Sequence, residues 1–351
     1  MISVFNQLFP TLNHVDATGK IRILPEDFVV IEHNDVVFSG QGEHWWIQLE
    51  KTNSNTAWAA TQLASACKVP ARQVGYAGLK DRHAITRQWF SVQLPKIKDI
   101  NEVCEKLPPE IRILNHYWHQ SKIKKGQLKG NQFEILIRDF IGNKEQVENN
   151  IKSIQTHGVP NYFGPQRFGH KMNNIQKVQD WFAGHIKVNN RNLRGLLISC
   201  ARSHLFNLII AKRIENDTWN QVIEGDIMQL DGSHSWFHAK DASKCELSQR
   251  LNEFDIHITA AMWGENPVQS TATCAQFEQK IADSIPIYHK GFEQFRVSQD
   301  RRAVRLLPQQ LSFSWQGSNL LLKFALPSGC YATSVLRELV RCEQNETESS
   351  D

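Results

Sequence analysis

Apolar and polar positions alternate across residues 132–138: Phe133, Ile135 and Ile137 fall on one face, Gln132, Glu134, Leu136 and Arg138 on the other. A period of two predicts a β-strand with one buried face. Residues 111–119 read as its hairpin partner, joined to it by the basic loop SKIKKGQLKGN. Three more strands are predicted nearer the N-terminus. One covers 20–31 with a bend at Pro25, the aromatic run HWWIQL covers 44–49, and QWFSVQL covers 88–94. Between the last two, Asn55 or Thr56 can cap a helix that runs to about Cys67, with Trp58, Leu63 and Ala66 on one face and Pro70 after its end. Asn143 can cap another, with Val147, Ile151 and Ile154 at helical spacing, ending at Gly158-Val159-Pro160.

From Tyr162 the periodicity changes. Helical patterns dominate, the strongest at 196–214, LLISCARSHLFNLIIAKRI. Arg202, His204 and Lys212 within it make it too polar for a membrane span. Strand patterns return at 303–307, 311–315 and 319–325, with Gln316-Gly317-Ser318 as the turn between the last two. After Pro327-Ser328-Gly329 a helix is predicted over 332–342, and 343–351, EQNETESSD, read as a disordered acidic tail. The expected organisation is one discontinuous α/β (α+β) domain, 1–156 with 305–342, interrupted by a mainly helical inserted domain at 157–304.

The composition changes this picture little. A chain of 351 residues, 41% hydrophobic and 22% charged, is globular and long enough for two domains. No run reaches the ~20 apolar residues of a bilayer span. The N-terminus has no basic segment followed by an apolar one, so no signal peptide is expected. Seven cysteines, an odd number with no CxxC spacing, fit a reducing cytoplasmic compartment. No zinc spacing, P-loop or dinucleotide glycine motif occurs, so no metal, nucleotide or other cofactor is expected. His116 with His119 and His234 with His238 lack acidic or thiol partners and read as surface histidines. The net charge of +4 says little, but its clustering says more. Lys122, Lys124, Lys125 and Lys129 share a loop, Arg296, Arg301, Arg302 and Arg305 form a second group, and Arg191, Arg194 and Arg202 a third. Such patches suit a phosphate backbone.

The stretch 75–92, GYAGLKDRHAITRQWFSV, concentrates the candidate chemistry. Gly75 and Gly78 permit positive φ or close approach of a ligand. Asp81 follows between Lys80 and Arg82, whose charges favour its ionised form. A positioned carboxylate beside a strand can act as nucleophile or general base. The same residues would also suit a solvated surface loop.

With its GLKDR core, this stretch resembles the signature of the TruD family of tRNA pseudouridine synthases. PEDFVVIE at 25–32, NYFGPQRFG at 161–169 and LPSGCYATSVLREL at 326–339 resemble the same family in the same order, so the likeness covers nearly the whole chain. The resemblance implies a pseudouridine-synthase-type catalytic domain on a mainly antiparallel sheet, a family-specific inserted domain, and a cleft between them. It implies isomerisation of uridine to pseudouridine, at uridine 13 in the D-arm of tRNA, without cofactor or metal. It places the catalytic aspartate at Asp81 and substrate contacts at Phe28, Asn131 and Tyr331. Phe133 is a further candidate to stack on a base flipped out of the RNA. Arg22 and Arg337 are the candidate ion-pair partners of Asp81. Phe28 and Phe133 also suit core packing, and Asn131 also suits a turn after Gly130. Phe163, Gln166 and Arg167 fit either an RNA contact or the joint of the insertion. The partner expected is tRNA, with no membrane; the sequence leaves the assembly state open, a monomer being favoured. The competing class is an RNA-binding or chaperone protein on the same fold without catalysis; the intact Gly78-Leu79-Lys80-Asp81-Arg82 run argues against it.

Overall fold

The computed structural model describes residues 2–94 and 99–344, which form two compact units. One comprises Asp16–Val147, Pro308–Gly329 and Val340–Asp351. The other comprises Met1–Val15, Glu148–Leu307 and Cys330–Leu339. These joints differ from those at 156/157 and 304/305, and buried apolar side chains give the reason. Phe5 and Phe9 enter the same core as Tyr162, Phe168 and Phe206, so the N-terminal helix Ile2–Leu8 belongs with the middle of the chain.

Among the described residues the first unit is built on a ten-stranded sheet. Its main path runs Gln309–Gln316, Asn319–Pro327, Gly130–Ile141, Phe28–His33, Ile85–Gln93, His44–Thr52, Ile111–His119. Neighbours along the path are antiparallel except Phe28–His33 with Ile85–Gln93, which are parallel. The fold is mixed α/β with a mainly antiparallel sheet. The turn between Gln316 and Asn319 forms as read from the sequence, and Gly317 meets it with a left-handed φ of +63°. Helix Thr56–Ala66 begins at Asn55, whose Oδ1 accepts from the Trp58 amide at 2.7 Å. Its buried Ala59, Ala60 and Leu63 pack with Trp45, Ile47, Leu49 and Phe90 of the sheet.

Two expectations fail here. Residues 111–119 and 130–141 are not a hairpin: Ile111–His119 pairs with His44–Thr52, and Gly130–Ile141 lies between Phe28–His33 and Asn319–Pro327. The intervening loop does not turn tightly, because Ile123 within it is buried against Trp46, Ala77 and Trp89. The helix predicted to reach residue 342 ends at Leu336. Arg341–Gln344 is a strand parallel to Thr18–Ile21, which removes 343 and 344 from the expected tail; 345–351 lie outside the described residues.

The second unit is organised around helix Arg191–Glu215. By length and composition this is the one described helix that could cross a membrane, but Leu197, Cys200, Leu205, Phe206, Ile209 and Ile210 are buried in the unit's own core. Against it lie helices Asn173–Ala183 and Ala272–Asp283 and strand Ile256–Met262. That strand belongs to a four-stranded sheet with Trp236–His238, Ile227–Leu230 and Asp300–Ala303, which the helical reading of the middle omitted.

Candidate active site

Asp81 lies in the loop between strands Val74–Tyr76 and Ile85–Gln93. Buried side chains pin this loop through its backbone. Gln88 Nε2 donates to the Gly78 carbonyl at 2.6 Å, and the Lys80 amide donates to Thr56 Oγ1 at 2.9 Å. Lys51 Nζ donates to the carbonyls of Ser54 at 2.5 Å and Asp81 at 3.3 Å. Burial pushes the Lys51 ammonium down to about 8, opposed by the negative charge of Asp81. The two glycines serve different needs, and neither takes positive φ. A Cβ at Gly75 would meet Lys122 Cε at 2.7 Å and Ser91 Oγ at 2.9 Å, whereas one at Gly78 would point into open space.

The Asp81 carboxylate is 44% exposed, and its Oδ2 accepts from Arg22 Nη2 at 3.0 Å. Among the described residues its Oδ1 has no partner. Arg22 follows the strand Thr18–Ile21 with φ of +60°, a conformation that costs a non-glycine residue about 1 kcal/mol. Its guanidinium lies over the Phe28 ring, 4.1 Å from the centroid. Of the two candidate arginines, Arg22 makes the pair. Arg337 belongs to the other unit, where it donates to the Phe9 carbonyl and to Asn6 Oδ1 and lies over the rings of Phe5 and Tyr162. It ties the N-terminal segment into that unit's core.

Phe28 and Phe133 both lie in the core of the sheet, 1% and 6% exposed. Phe133 stacks on Phe324 with centroids 5.4 Å apart, and Phe28 meets Phe133 edge-on at 6.3 Å beneath Arg22. Neither presents the open ring face that stacking on a base requires. Their register explains this: Val30 pairs with Phe133 and Phe28 with Ile135, on the apolar face of the pleat. Asn131, half-buried, is paired through its backbone with Glu32 and Leu326. Its Oδ1 accepts from Lys80 Nζ at 2.6 Å. Lys80 points away from the Asp81 carboxylate, as alternation along an extended chain predicts, and pairs with Glu32 at 3.3 Å. Thus Asp81, Arg22, Phe28, Asn131 and Phe133 share one unit. Tyr331 lies in the other, its hydroxyl accepting from Arg167 Nη2 at 2.7 Å and its ring edge-on to Phe163.

Sequence reading passed over Glu32 and Lys51 as parts of the site. The signal was present in the alternation: Glu32 continues the buried face of Phe28 and Val30, and Lys51 that of Trp45, Ile47 and Leu49. A charge on a buried face needs a partner.

The basic clusters come apart. Arg301 is buried against Glu278 at 2.8 Å and Thr259, and Arg305 donates to the carbonyls of Leu251 and Ile256. Arg202 donates to the carbonyls of Trp263 and Met262, and Arg194 to that of Val188. These arginines close backbone acceptors inside the second unit. In the loop, Lys122 donates to the Arg72 carbonyl, whereas Lys124, Lys125 and Lys129 are exposed, the last paired with an equally exposed Asp35. No group of three or more His, Cys, Asp and Glu side chains among the described residues is arranged to hold a metal ion.

Comparison with known proteins bears on the whole of this arrangement. The chain matches the family model described as tRNA pseudouridine synthase D (TruD) over residues 9–183 and 171–339. It is 40% identical over 323 residues to the tRNA pseudouridine synthase D of Hydrogenovibrio crunogenus, covering 92% of each chain. It is 36% identical over 353 residues to that of Photobacterium profundum, covering 100% of this chain and 99% of the relative. Its fold is similar, with a TM-score of 0.74, to the crystal structure of the putative tRNA pseudouridine synthase D from Methanosarcina mazei. That likeness covers 95% of this chain and 97% of the other at 20% identity. The chain belongs to the tRNA pseudouridine synthase D (TruD) family.

Proposed function

We propose that the protein isomerises uridine to pseudouridine in tRNA, at uridine 13 of the D-arm, with Asp81 as the catalytic carboxylate. The observation that carries this reading is the state of Asp81. Its loop is fixed by buried side chains, one carboxylate oxygen is engaged by Arg22, and the other has no partner among the described residues. A nucleophile or base must be held in place and yet keep a lone pair for the substrate.

The reaction breaks the bond from N1 of the base to C1′ of the sugar, turns the base, and joins C5 to C1′. The C5 proton leaves to solvent and N1 takes one up, so nothing is oxidised and no co-reactant is consumed. In this mechanism Asp81 acts at the sugar as nucleophile or base. Arg22 orients its carboxylate, supported on the Phe28 ring. Asn131 meets the uracil edge, and Tyr331, whose hydroxyl accepts from Arg167, is a further candidate for substrate contact. The uridine must leave the RNA stack first, at a cost of a few kcal/mol. The proposed compartment is the cytoplasm, where all seven cysteines remain free thiols, as they are in this structure.

The test is a map of pseudouridine in tRNA from cells with and without the gene. Loss of the modification at position 13, restored by the wild-type protein, is the expected result. Unchanged modification at that position would overturn the assignment.

A further inference from the structure

Asn131 presents an amide whose two ends are nearly equal in shape, so its orientation must be set by its neighbours. Here the neighbour decides. Lys80 Nζ lies 2.6 Å from the amide, and an ammonium group can only donate. The atom facing it is therefore the amide oxygen. Lys80 is itself held by Glu32, 3.3 Å away, and the two side chains are 7% and 2% exposed. Glu32 Oε2 is buried, and the burial that pushes its carboxyl upward is opposed by Lys80. The Asn131 backbone is fixed by its neighbours in the sheet. Among the described residues Nδ2 has no acceptor.

We propose that Glu32 and Lys80 are positioning residues that lock the Asn131 amide oxygen inward, so that Asn131 offers the substrate N–H donors alone and takes a carbonyl oxygen of the uracil ring. The inference rests on the reading that uridine in tRNA is the substrate. Uracil carries a carbonyl at each of two ring positions. At C4 it differs from cytosine, which carries an amino donor there. A donor fixed toward C4 selects uracil; one fixed toward O2 orients either pyrimidine.

The experiment measures tritium release from C5 of the target nucleotide in tRNA carrying uridine, 4-thiouridine or 2-thiouridine. Sulfur is a poor acceptor, so the wild-type protein loses about tenfold or more in kcat/KM with one of the two thio substrates. Which one it is names the carbonyl. The double variant Glu32→Gln/Lys80→Met removes both charges together and frees the amide to turn. It loses at least that factor with uridine and no longer distinguishes the thio substrate. Lys80→Arg retains the donors and restores the discrimination. A wild-type thio penalty that persists undiminished in the double variant overturns the inference, as does equal activity of the wild type on all three substrates.

Asn131→Asp covers the case in which the double variant does not fold. Its carboxylate still accepts from Lys80, but its second oxygen repels a carbonyl. Activity is lost at an unchanged melting temperature; full activity would overturn the inference. A wild-type protein that releases no tritium from uridine would instead refute the proposed reaction itself.

Discussion

Asp81 and Asp226 are the same side chain facing an arginine, one in each unit, and they differ in everything else. Asp226 is fully buried. Its two oxygens accept from Arg213 Nη1 and Nη2, both at 2.9 Å, and also from the Ile223 amide and the Cys274 thiol. Burial pushes that thiol upward, so it stays a donor. Asp81 has a single bond to Arg22 and an exposed carboxylate. A saturated carboxylate has no lone pair left for a substrate, and removing either partner strands a charge in the core. An open one gives little to stability and can act on whatever approaches. Partner count and exposure separate a saturated ion pair from one open to a substrate, although both read simply as Asp with Arg in sequence.

The largest effect is expected from the saturated carboxylate. Asp226→Asn leaves Arg213 charged and buried, which costs about 3–5 kcal/mol, read as an early thermal melt. A melt equal to the wild type would show that saturation carries no weight here. Glu338 offers a second buried carboxylate, accepting from the amides of Leu12 and Asn13. Burial raises it to about 7, against an unfolded value of 4.5. A raised carboxyl favours the folded state below the unfolded value, and that contribution disappears as pH rises through about 7. The wild type should therefore lose about 3 kcal/mol between pH 4.5 and 8 that Glu338→Gln does not lose. Melting curves of the two proteins across that range provide the check. The smallest effect on stability belongs to the open pair. Arg22→Met should change stability by less than about 1 kcal/mol while lowering kcat, because the exposed pair orients Asp81 more than it holds the fold. A large loss of stability with unchanged kcat would place Arg22 among the structural arginines.

Much of the first unit's framework was legible in sequence because it is local. The alternation of Phe133, Ile135 and Ile137, the Asn55 cap and the Gly317 turn each depend on a few adjacent residues. What sequence could not supply was pairing at a distance. Ile111–His119 finds its partner across some sixty residues, and Arg341–Gln344 finds Thr18–Ile21 at the opposite end of the chain. Strand Ile256–Met262 is buried along most of its length, so it lacks the alternation that would have distinguished it from helix. The arginine clusters misled for the same reason. Arg301 looks like surface charge until Glu278 and Thr259 are folded around it. At the site, Asp81 stood out by its neighbours in sequence, while Glu32 and Lys51 were hidden among apolar strands.

If Asp81 serves the reaction and has little structural duty, Asp81→Asn separates the two roles. The substitution preserves the shape of the side chain and removes its charge. Tritium release from uridine-labelled tRNA and the thermal melt are measured on one preparation. The expected result is an unchanged melt, retained tRNA binding and no detectable release. A stable, tRNA-binding variant that releases tritium at the wild-type rate would contradict it.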